Sequence, residues 1–154
     1  MYKRQLILML IGGSPGSTAG GLKTTTIAVV VIAVFAMAKG GDDINTFKRR
    51  IVSDVVKQSA VIILIYLFAV MLSSMIICSV EGLGMSQVLF ETASAAGTVG
   101  VSKGITNQIS VISKIILMIM MYGGRIGGLS LVLVFGQRKP EAPVKRPTEQ
   151  ILIG

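Results

Sequence analysis

The sequence predicts an all-α membrane protein, on three observations: apolar runs that match the thickness of a bilayer, glycine-rich breaks inside two of them, and basic residues gathered between and after the runs. Hydrophobic residues make up 52% of the chain and charged ones 14%. Its mean hydropathy is +0.77. Ordinary globular domains are less apolar and more charged.

The elements follow in order. Residues 5–38 read as one discontinuous span, because Gly12, Gly13, Ser14, Pro15, Gly16, Ser17, Thr18, Ala19, Gly20 and Gly21 hold five glycines and a proline and cannot form a regular helix. Non-helical backbone survives at membrane depth only where it lines a cavity or is buried in protein. Residues 39–57 are polar and read as a cytoplasmic connection, and 59–80 is an apolar run long enough to cross once. Residues 84–96 have a helical pattern but number only about 13, too few to span, and Gly97-Thr98-Val99-Gly100-Val101-Ser102 follows. This pattern predicts a re-entrant helix and loop. Residues 109–135 form the last span, broken by Gly123-Gly124-Arg125-Ile126-Gly127-Gly128, and the tail 137–154 reads as extended and cytoplasmic.

Composition excludes several function classes. The chain has no histidine, seven scattered carboxylates and a single cysteine, Cys78, which removes the usual ingredients of zinc sites, histidine relays and disulfides. No enzyme and no cofactor is predicted. The net charge is +8, and many of the basic residues fall in two groups, Lys39, Lys48, Arg49, Arg50 and Lys57, then Arg138, Lys139, Lys145 and Arg146. Basic clusters beside spans mark cytoplasmic loops, whereas a nucleic-acid surface interleaves basic and aromatic residues on a soluble module.

Span, re-entrant pore helix, filter loop and span together make the plan of a pore-loop repeat. A cation gives up its water only when backbone carbonyls replace it, which calls for extended backbone with glycine where the dihedrals are unusual. Thr98, Val99, Gly100 and Val101 supply that backbone, and the C-terminal end of the short helix favours a cation there. The competing reading is that residues 95–100 only pack small side chains between helices.

Residues 11–26, Ile-Gly-Gly-Ser-Pro-Gly-Ser-Thr-Ala-Gly-Gly-Leu-Lys-Thr-Thr-Thr, resemble the signature of the Trk/Ktr/HKT potassium transporters. Residues 90–102 resemble the fourth pore loop of that family, closest to the Ktr membrane subunit, and Gly124-Arg125-Ile126-Gly127 resembles its last inner helix. The chain departs from the family at its start, and in Ala96 and Gly128, where a larger aromatic and a proline are expected. The resemblance implies four repeats around one pore. Residues 1–38 would then be the second half of one repeat and 58–136 the complete last one. It also implies a multi-pass protein of the bacterial plasma membrane that carries potassium, with sodium or protons as coupling ions. Its implied partners are the bilayer, the remaining repeats, a second copy in a homodimer and a cytoplasmic nucleotide-binding regulatory subunit. One repeat cannot enclose a pore, so a fragment, an internal start or a complemented piece is expected.

In that family the glycine-rich break restricts the pore beneath the filter, and this gate role passes to residues 12–21. Lys23 reads either as a fixed charge that bars cations or as a lysine held by loop carbonyls. Arg125, about 16 residues into its run and so roughly 24 Å along the axis, is a costly charge whose natural partners are the carbonyls of that loop. Snorkelling to the interface is the other reading of Arg125. Glu91 reads as a support that accepts hydrogen bonds from the filter backbone, with electrostatic attraction of cations as the other reading, and potassium is held by the backbone carbonyls of Thr98, Val99 and Gly100. A phosphate-binding loop fails on spacing, since Leu22 stands between Gly21 and Lys23. A small helical membrane protein with a structural or interaction role is the remaining alternative.

Overall fold

The computed structural model describes residues 2–14, 17, 19–39, 45–46, 49–50 and 53–126. Five helices dominate: α1 Tyr2–Ile11, α2 Thr24–Ala38, α3 Ser53–Glu81, α4 Met85–Ala96 and α5 Val111–Ile126. Between α2 and α3, strands β1 Asn45–Thr46 and β2 Arg49–Arg50 pair antiparallel, Asn45 with Arg50 and Thr46 with Arg49. This small ladder lies inside the basic connection and was not expected.

The break in the first span is real. Helix α1 ends at Ile11, Gly12 turns at a φ of 65°, and regular helix resumes only at Thr24. A β-carbon at Gly12 would overlap the Leu22 carbonyl oxygen, so the returning chain passes directly over it. Neither helix alone reaches across a bilayer, at about 15 Å and 22 Å.

Helix α3 has 29 residues, about 43 Å at the helical rise. Among the described residues it is the one helix both long and apolar enough to cross a membrane. It starts at Ser53, so residues 53–57 of the predicted connection are helical. Asp54 in the first turn complements the positive end of the helix dipole and extends the helix into polar sequence. Leu64, Phe68, Met71 and Met75 stand exposed along it, a face that water would not favour.

Helix α4 is short and deeply held. Its residues from Phe90 to Ala96 are all buried, packed against α1, α3 and α5. Ile77, Val88, Ala95, Ile105, Ile109 and Leu117 form the apolar core of this assembly. A buried hydroxyl pair, Ser74 with Thr92 at 2.6 Å, crosses the α3–α4 seam: one hydroxyl donates to the other, which donates to a carbonyl of its own helix. Small side chains let the two backbones approach and leave no hydroxyl unsatisfied there.

The last helix begins two residues later than the apolar run. Ser110 takes the N-cap: its carbonyl accepts from Lys114 N–H at 3.1 Å and its hydroxyl from Ser113 N–H at 3.5 Å. Glu81, at the end of α3, receives Ser110 N–H at 2.8 Å and the hydroxyls of Ser110 and Ser113, both at 2.5 Å. One carboxylate therefore closes the end of α3 onto the start of α5, where the helix dipole favours a negative charge. Residues 127–154, including Gly127, Gly128 and the predicted tail, lie outside the described residues.

Candidate functional site

The C-terminus of α4 carries the predicted filter. Val99 N–H bonds the Ser94 carbonyl and Thr98 N–H the Ala95 carbonyl, both at 3.0 Å, the paired bonds of a Schellman ending. That ending asks for a left-handed residue, ordinarily glycine. Here the position is filled by Thr98, at a φ of 52°. A β-branched residue held in this region is strained, so something outside the helix must favour the side chain. The Thr98 hydroxyl accepts the backbone N–H of Gly20 at 2.8 Å.

This bond seats the glycine-rich segment against Thr98, at the start of the predicted filter. Gly20 fits there only without a side chain, since a β-carbon would lie 2.6 Å from Thr98 Oγ1 and 2.7 Å from its methyl carbon. The next residue, Gly21, at a φ of 80°, donates its N–H to the Gly124 carbonyl of α5 at 3.3 Å. Gly124 in turn lies so close to α4 that a β-carbon would overlap the Ala96 carbonyl oxygen. At Gly97 a β-carbon would stand 2.7 Å from the Met9 carbonyl of α1. Four segments thus meet at the end of α4, through close backbone approaches and the Thr98 hydroxyl.

Val99, Gly100, Val101 and Ser102 are exposed, and Gly100 has a φ of 80°. A cavity of about 370 Å³ opens beside them, lined among others by Glu91, Thr98, Gly100, Ser102, Leu117 and Met121. Glu91 is buried and accepts Lys103 N–H at 2.8 Å and the Ser102 hydroxyl at 2.5 Å, with the Thr106 hydroxyl at 3.4 Å. Its partners are Ser102, Lys103 and Thr106, just after the predicted filter, not the amides of Thr98 to Val101. Lys103 adds a strap, its ammonium 5.0 Å from the centre of the Phe90 ring.

We expect Glu91→Gln in the full-length protein to speed hydrogen exchange at the Lys103 amide by roughly tenfold or more. A bond to a charged acceptor is worth about 1.5–3 kcal/mol, and the amide substitute brings a donor to a site that offers donors. Unchanged protection at Lys103 would show that this segment is held by other contacts.

Of the other predicted residues, Lys23 lies within the loop it belongs to: its ammonium donates to the Ala19 carbonyl at 2.7 Å and to that of Ser17 at 3.5 Å. Gly13 faces Ala19 and Ser17 across the same loop. Arg125 is exposed on the last described turn of α5, next to Gly124, whose carbonyl meets the loop. Pro15, Gly16 and Thr18 lie outside the described residues. Among the described residues no group of three or more histidine, cysteine or acidic side chains could hold a metal ion. Neither Glu81 nor the Thr98 hydroxyl was expected from the sequence. Glu81 had one signal, an acid at the end of a span facing a serine that opens the next.

Comparison with known proteins places this geometry in context. The TrkH family, described as cation transport protein, matches residues 5–145. Ktr system potassium uptake protein D of Bacillus subtilis is 37% identical over 96% of this chain and 33% of its own length. The potassium/sodium uptake protein NtpJ of Enterococcus hirae is 36% identical over 97% of this chain and 34% of its own. Ktr system potassium uptake protein B of Bacillus subtilis is 32% identical, over 97% and 33%. The chain thus spans about a third of the length of these relatives.

Proposed function

The chain belongs to the TrkH family of cation transport proteins, and from that membership we propose that it forms the C-terminal part of a potassium-transporting pore in the bacterial plasma membrane. Potassium is the ion in the names of the relatives, one of which names sodium as well. Residues 1–38 are the second half of one pore-loop repeat and 58–136 the last repeat, with 39–57 and 137–154 on the cytoplasmic side. The exposed apolar face of α3 supports a bilayer setting. The remaining repeats complete the pore. A second copy and a nucleotide-binding regulatory subunit are its further partners, the latter docking on the basic segments, and sodium or protons drive uptake.

In this reading a potassium ion sheds water onto the carbonyls of Thr98, Val99, Gly100 and Val101, helped by the negative end of α4. Residues 12–21 and Lys23 form the gate below. The observation that supports the proposal is the bond from Gly20 N–H to the Thr98 hydroxyl, which lays a glycine-rich segment beside the residues read as the filter. Glycines make the segment cheap to rearrange, as a gate requires. Arg125 holds the closed loop through its carbonyls, beside the Gly124 contact.

The test is potassium flux in the full-length protein with residues 13–19 shortened, with Arg125→Ala, and with both. Shortening should raise flux several-fold, Arg125→Ala should raise it less, and the combination should match the shortened loop alone. Wild-type flux in a well-expressed shortened variant would end the gate reading. Additive effects would place Arg125 elsewhere.

A further inference from the structure

We propose that the Tyr66 hydroxyl is a latch for residues 12–21, a positioning group that receives a carbonyl of this segment when it withdraws from the filter. The proposal rests on the reading of that segment as the gate. Among the described residues the Tyr66 hydroxyl is the one buried side-chain polar atom without a hydrogen-bond partner. It lies in the middle of α3, and a β-carbon on Gly21 would stand 3.3 Å from its oxygen and 3.3 Å from the α-carbon of Gly97. The phenol therefore points at the hinge between gate and filter.

The seal around it is made by this chain itself. Its oxygen is already closed off from solvent by the described residues, so neither water nor another repeat reaches it without a local movement. Buried hydroxyls are nearly always satisfied, and one that is not makes its arrangement less favourable than a neighbouring arrangement that supplies an acceptor. The backbone beside it is the one free to change. Gly20 and Gly21 carry no side chains, and the Gly21 N–H is held only by a 3.3 Å bond to Gly124. Rotation of the chain at these glycines breaks the bonds to Thr98 and Gly124 and turns a loop carbonyl toward the phenol. The orphaned hydroxyl thus opposes the seated loop and rewards the withdrawn one, while Thr98 does the reverse.

The test is Tyr66→Phe in the full-length transporter, alone and combined with the shortened loop, read as potassium flux and potassium-over-sodium preference in vesicles. Phenylalanine keeps the packing and removes only the hydroxyl. Flux should fall about three- to tenfold, the equivalent of one net hydrogen bond, with ion preference unchanged. In the shortened-loop background the substitution should do nothing. Wild-type flux in Tyr66→Phe, beside raised flux from shortening, would overturn the latch and leave the gate standing. An altered ion preference, or an equal fall without the loop, would overturn it too, by assigning Tyr66 to the filter through Gly97 or to packing. Shortening that leaves flux unchanged would overturn the gate and the latch together.

Discussion

Gly100→Ser in the complete transporter is expected to lower the preference for potassium over sodium by roughly tenfold. The space around Gly100 is open, with nothing within 4 Å of a β-carbon placed there, so the cost is not steric contact. It lies in the backbone. Gly100 holds a φ of 80°, and a side chain in the left-handed region costs about 1–2 kcal/mol, close to the 1.4 kcal/mol of a tenfold change. The chain relieves that cost by turning the peptide, which moves the carbonyls proposed to replace the ion's water. Gly104→Ser is the matched control. Its φ of 84° and its open surroundings impose the same penalty three residues beyond Val101, and selectivity there should not change. Competition between the two ions in uptake measurements decides it; equal selectivity in wild type and Gly100→Ser, at normal expression, would remove Gly100 from the filter.

The second large effect belongs to Gly124→Ala. A β-carbon at this position meets the Ala96 carbonyl oxygen and stands 2.9 Å from its carbon, so the obstacle is backbone on both sides. Overpacking of this kind costs about 1–3 kcal/mol, and here no flexible side chain can yield. Helix α5 must move off α4, taking with it the carbonyl that receives Gly21. Thermal stability should drop by an amount of that order. Gly123→Ala, one residue away and facing open space, should leave stability unchanged or slightly raised, since alanine is the better helix former. Equal behaviour of the two variants in thermal unfolding would mean that the α4–α5 contact is not as close as described.

Much of the architecture was legible because glycine and chain length are strong local signals. Five glycines and a proline could not be helix, and a helix of about 13 residues could not span; α1, α2 and α4 obey both constraints. Helix α3 begins before the apolar run because Ser53, Asp54 and Lys57 form its polar first turns, which hydropathy alone does not separate from the connection. The site was legible in outline only. Glu91 could be read as an acceptor, but where a loop folds back is a tertiary matter, and its partners proved to be Ser102 and Lys103. Tyr66 sits in an apolar run and reads as packing until its hydroxyl is found sealed. Thr98 was read for its carbonyl, yet its hydroxyl meets the loop, a use that only its dihedral angle and the position of Gly20 disclose.

The carboxylate of Glu81 bears on how such a chain is assembled. Helix α4 is too short to remain across a bilayer and carries Ser86, Gln87, Glu91, Thr92 and Ser94, so lipid gives it no resting place of its own. It can enter only between walls that are already in place. By fastening Ser110 and Ser113 to the end of α3, Glu81 closes the intervening segment into a loop and brings both walls together. Entry of α4 then becomes a local docking step whose loop-closure entropy has already been met.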